Sequence, residues 1–138
     1  MLTSFSSLSW LGIAAAFAVY FVLGGLWFTV FFKRPYAYSL GKDAATLQNS
    51  APIFIIGPAA CSLVITVTTA LLIQSLDITT IGAAIVFALV IGTGYLVANT
   101  VNIAINPNIP RPMLYGAISG AFHLTGITLA SIILVAMG

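Results

Sequence analysis

The chain has 138 residues, of which 61% are hydrophobic and 4% charged. A soluble domain carries about a quarter of its residues as Asp, Glu, Lys or Arg, so four basic and two acidic residues exclude a water-dispersed globule. Cys61 is the sole cysteine, which excludes an internal disulfide scaffold, and four basic residues cannot form a phosphate-tracking face for nucleic acid.

Four uncharged stretches follow one another: 9–32, 53–76, 78–105 and 113–138. Each exceeds the roughly 20 residues that a helix needs to cross a hydrocarbon core. None alternates in polarity as a membrane β-strand would. The expected fold is therefore all-α, a single domain (1–138) forming a polytopic bundle of four transmembrane helices. The first stretch is too long for a signal peptide, and its basic residues follow it rather than precede it, so it is read as a retained span.

The charges orient the bundle. Lys33, Arg34 and Lys42 fall in the first loop and Arg111 in the third, while the second loop holds only Asp77. The positive-inside rule places loops one and three in the cytoplasm and both termini outside, in a multi-pass protein of the cell membrane, the inner membrane in a bacterium. Trp10, Trp27, Lys33, Arg34 and Arg111 are expected to anchor the interfaces against membrane lipids. The first loop is expected to form a short interfacial helix near 43–48. The second, at 76–79, is tight enough to predict an antiparallel hairpin of spans two and three. The third holds Pro107, Pro110 and Pro112, which stiffen it.

Little in the chain points to catalysis. Asp43 and Asp77 are the only carboxylates and fall on opposite sides of the membrane, so no paired-carboxylate mechanism exists within one chain. A Ser-His-Asp arrangement lacks its acid, and no metal or cofactor site is expected. His123 lies about ten residues into the fourth span, near mid-membrane, where ionisable residues are costly and face a bundle interior or a water-filled cavity. It suits proton relay or ligand contact, or simply a hydrogen bond to a neighbouring helix, the bland reading and the favoured one. In span three, Tyr95, Asn99 and Asn102, with Asn106, follow an i, i+4, i+7, i+11 course along one stripe, which Gly92 extends. Tyr95 is expected at the depth of His123, giving a polar track Tyr95, Asn99, Asn102, His123 or an interhelical network. Gly116 and Gly120 form a small-xxx-small pair, and Gly24 with Gly25 is a further candidate for close helix packing.

Two patches resemble a bacterial membrane family catalogued as domain of unknown function seventeen-sixty-one. The first is Gly24-Gly25-Leu26-Trp27-Phe28-Thr29-Val30-Phe31-Phe32-Lys33-Arg34-Pro35-Tyr36. The second runs through Pro110-Arg111-Pro112, Leu114-Tyr115-Gly116 and Ala121-Phe122-His123-Leu124. The sequence departs from the family's pattern at Thr29-Val30, where Gly-Pro is usual, and at Ser119, where asparagine is common. The resemblance implies a four-helix fold, no established activity, and a role for Trp27 and His123.

A single bundle of this size leaves little room for an internal path. The expectation is a homo-oligomer, a dimer or trimer, acting as a small pore or carrier for a small polar solute or ion and not as an enzyme. The alternative is a non-catalytic accessory or scaffolding subunit of a larger membrane complex, bound through the glycine faces. A further reading, a cofactor or lipid-modifying enzyme using His123, has no acidic residue nearby to support it.

Overall fold

The computed structural model describes residues 7–47 and 51–138. Helix α1 (Trp10–Leu26) runs on into a π-helical turn, Trp27–Phe31, and a short helix α2 (Lys33–Ser39) follows. After a 3₁₀ turn at Ala44–Thr46 comes α3 (Ile53–Ser75). Helix α4 (Ile81–Ile91), a π-helical turn (Gly92–Val97) and α5 (Ala98–Ala104) form one continuous rod, and α6 (Pro112–Ala136) completes the order. The four rods Trp10–Phe31, Ile53–Ser75, Ile81–Ala104 and Pro112–Ala136 are long and apolar enough to cross a membrane. They are called spans one to four here, and the chain is an all-α, multi-pass membrane protein.

Local chemistry sets the ends. Ser9 accepts from the Gly12 amide and Thr80 from the Ala83 amide, each capping a helix whose first N–H groups have no partner within it. Pro112 opens α6 at a first-turn position where its missing N–H costs nothing. Asp43 caps the 3₁₀ turn by accepting from the Ala45 amide. Thus the short helix expected over 43–48 is a single turn, with its expected last residue, Gln48, outside the described residues. Pro35 is tolerated in α2 because it sits in the first turn. At the end of α3 the Ile78 amide donates to the Ile73 carbonyl and the Asp77 amide to that of Gln74. With Asp77 at φ 53°, this is a Schellman turn.

Span four is the hub. Half of its apolar window (50%) is buried, against 17–22% for the others. Spans one and two pack on it and on each other, while span three packs on span four along its whole length. The hairpin expected of spans two and three does not form. The turn between them reverses the chain, yet both spans direct their packing to span four, leaving an open apolar groove beside Leu76, Ile78, Gly82, Val86 and Val90.

Glycines set the spacing on the hub. Gly116 lies under Val101 and Gly120 under Val97, and Gly92 of span three fits beneath Leu124 and Ile127. Small residues permit this approach where lipid supplies no hydrophobic drive. The inward stripe of span three runs Ala84, Ala88, Gly92, Val97, Val101, Ala104. It advances in helical steps except for one of five residues, which the π turn at Gly92–Val97 absorbs.

Candidate functional site: an aromatic seam and an outward polar face

Tyr20 stands at the middle of span one and is 1% exposed. The inward residues Ile13, Ala16 and Tyr20 recur at helical spacing, so the register that buries the first two also buries the phenol. Its hydroxyl lies 3.1 Å from Nδ1 of His123 and 3.5 Å from the His123 carbonyl oxygen. His123 thus faces Tyr20 of span one, and not Tyr95, across the interior.

Around this pair the rings interlock. Phe122 meets Tyr20 at 5.5 Å between centroids, Phe28 at 5.2 Å and Trp27 at 6.3 Å. Trp27 donates from Nε1 to the Ile118 carbonyl at 3.1 Å and lies 4.6 Å from the Phe32 ring. Trp27, expected as an interfacial anchor, is thus turned into the bundle. The π turn beginning at Trp27 is accompanied by a bond from the Thr29 hydroxyl back to the Gly25 carbonyl, 2.6 Å. Gly24 faces the Phe122 ring, whereas Gly25 opens on empty space, so only the first of these glycines packs against another span. Trp10 is the first residue of α1 and is 57% exposed.

At the basic end the seam closes with a clasp. The Arg111 guanidinium sits 3.6 Å from the Tyr38 ring centroid, a cation–π geometry, and its Nη1 donates to the Tyr38 carbonyl. The Arg111 amide donates to the Ser39 carbonyl. Tyr36 and Tyr115 lie 5.6 Å apart. Burial, then the neighbouring Tyr115, pushes the Tyr36 hydroxyl up to about 12. Arg111 is thereby a structural link between loops one and three. Arg34 is exposed and Lys33 half-buried.

The polar stripe lies elsewhere. Tyr95, Asn99 and Asn102 are all exposed on span three, Tyr95 at 71%, and none makes a side-chain hydrogen bond to a described residue. The expected Tyr95–His123 contact does not form. Gly92 points inward and Tyr95 outward because the π turn between them changes the register. His123 looks toward span one. Asn106 donates to the Ile103 carbonyl within its own segment. Tyr95, Asn99 and Asn102 stay together on one face, separated from His123.

Other polar groups are satisfied locally. Thr66 and Thr69 donate to the Ser62 and Ile65 carbonyls one turn back, the back-bonding open to a hydroxyl within a helix, and Ser62 donates to the Pro58 carbonyl. The buried hydroxyls of Ser119 and Ser131 are exceptions, with no hydrogen-bond partner among the described residues. No group of three or more His, Cys, Asp or Glu side chains able to hold a metal ion occurs among the described residues.

Sequence reasoning missed Tyr20, and it missed the contacts of Tyr36 with Tyr115 and of Tyr38 with Arg111. The signal for Tyr20 was its helical register with Ile13 and Ala16. For Tyr38 it was only that Arg111 needed a partner.

The sequence pattern of a family described as "Protein of unknown function (DUF1761)" matches residues 11–135. No curated protein and no solved structure matches the chain. The two resembling patches hold much of the aromatic seam, Trp27, Phe28 and Tyr36 in the first and Tyr115, Phe122 and His123 in the second, while Tyr20 and Tyr38 fall outside them.

Proposed function

We propose that this chain, which belongs to the family described as "Protein of unknown function (DUF1761)", is the protomer of a small homo-oligomeric pore or carrier for a small polar solute or ion. The observation that carries this reading is the outward face of Tyr95, Asn99 and Asn102. Amides and a phenol turned to lipid find no acceptor there, and each such group is costly without a partner. A second copy presents the same donors and acceptors, so the face is self-complementary about a symmetry axis. The path then runs at the junction of a dimer or trimer. The interior of one chain is filled by the aromatic seam. His123 serves to lock spans one and four. The basic end is cytoplasmic and the termini are outside, in the inner membrane of a bacterium.

The test is flux into proteoliposomes together with disulfide trapping of Tyr95→Cys in a Cys61→Ser background. Trapped homo-oligomers and a flux lowered at least ~10-fold by Asn99→Ala are expected, the scale of one lost polar contact of ~1.4 kcal/mol. Wild-type flux unaltered by Asn99→Ala would remove these residues from the path. Gly82 and Gly94, which open on empty space, favour a second reading, an accessory subunit receiving a foreign helix. Native mass spectrometry that finds a fixed heteromer would select it.

A further inference from the structure

The end of the bundle away from Lys33, Arg34, Lys42 and Arg111 carries one charged side chain, Asp77. Its carboxylate has no hydrogen bond or ion pair among the described residues. It borders a half-open cleft of about 300 Å³ between the ends of spans one, two and four. Gln74, Ser9 and Thr79 add polar atoms, and Ile73 and Leu134 form apolar wall. Gln74 donates its amide N–H to Ser7 at 2.6 Å, which leaves the Gln74 carbonyl oxygen able to accept.

The chemistry narrows the occupant. An unpaired carboxylate beside neutral acceptors favours a cation, and a hydrogen-bonding one above a bare charge. No aromatic side chain lines the cleft among the described residues, so they build no cage of the kind that recognises quaternary ammonium. A calcium-type ion is held tightly by several carboxylates, and Asp77 is the one acidic side chain among the described residues that line the cleft. An ammonium group has three N–H donors, which Asp77, Gln74 and Thr79 can accept, and a short alkyl chain fits the Ile73–Leu134 side.

We propose that this cleft is a binding site for a small primary alkylammonium ion, with Asp77 as its counter-charge and Gln74 as a second acceptor. The site lies within one chain and does not depend on the number of copies or on the path proposed above.

The test uses the full chain in lipid nanodiscs, titrated with n-butylammonium chloride against sodium chloride at matched ionic strength. Calorimetry should give saturable binding, weakened at least ~10-fold in Asp77→Asn by loss of the charge-assisted bonds. Asp77→Gly should do the same while easing the left-handed turn, and unchanged thermal unfolding of both variants would show an intact fold. Tetramethylammonium should bind at least ~10-fold more weakly. Equal affinity of Asp77→Asn, equal affinity for tetramethylammonium, or no saturable binding would each overturn the proposal.

Discussion

At Gly126 a β-carbon would collide with the Tyr20 ring, whereas at Gly25 it would meet nothing within 4 Å. Tyr20 cannot retreat, because Phe122 and the bond to His123 hold it. Gly126→Ala should therefore cost about 2–3 kcal/mol, an overpacking effect, while Gly25→Ala should be neutral or slightly stabilising. Chemical denaturation in detergent reads both. Trp27→Phe keeps the ring stack on Phe32 but loses the donor to Ile118. It should cost roughly 0.6–2 kcal/mol, and no loss in the same assay would mean that this bond contributes nothing. The small-xxx-small spacing correctly marked Gly116 and Gly120 as packing positions. It was silent on Gly92 and Gly126, and Gly25 faces no other residue within one chain. The reason is physical: a glycine matters through what faces it, and sequence spacing within one helix does not reveal the opposing ring.

Register within elements explains the largest difference between expectation and structure. Residue counting at 3.6 per turn placed Gly92 and Tyr95 on one stripe, and a turn holding more residues than an α turn separates them. Such turns behave as single-residue insertions into an α-helix. Deleting Gly94 should restore α pitch while keeping Ala84–Gly92 and Val97–Ala104 facing span four. Stability should then change by less than ~1 kcal/mol, the range of surface substitutions, and flux should fall because Tyr95 is redirected. Wild-type flux in that variant would show that the placement of Tyr95 is irrelevant. The helix α2 escaped prediction because seven residues with a proline in the first turn carry little periodic signal. Its docking can be titrated. The Tyr36 hydroxyl is raised from 10.0 to about 12, so the docked form favours the neutral phenol. The docking contribution is fully present below about pH 10 and is lost as pH rises through about 12. An ultraviolet difference titration of wild type against Tyr36→Phe should find this phenolate forming near pH 12. A midpoint near 10 would mean that α2 is undocked.

For the whole molecule, length and hydropathy were enough to place every span within three residues of its observed ends, since the membrane demands helices of one approximate length. Which helices touch was not legible, because lipid-facing and buried surfaces are equally apolar. The tight loop at Asp77 therefore pointed to a hairpin that does not pack. Orientation has its own check. In the Cys61→Ser background, an impermeant thiol reagent should label Thr79→Cys from outside and Thr46→Cys from the cytoplasm, and the reverse pattern would invert the bundle. The hub position of span four also imposes an order on biogenesis. The ribosome releases the helix that organises the bundle after the three that need it. Until then span three has no extensive packing partner, and only spans one and two can hold each other. A membrane-inserted precursor whose third helix lacks its packing partner follows from that order. What span four covers on its arrival is the small-residue stripe of span three, Ala84, Ala88, Gly92 and Ala104, while Asn99 and Asn102 stay outward before and after it.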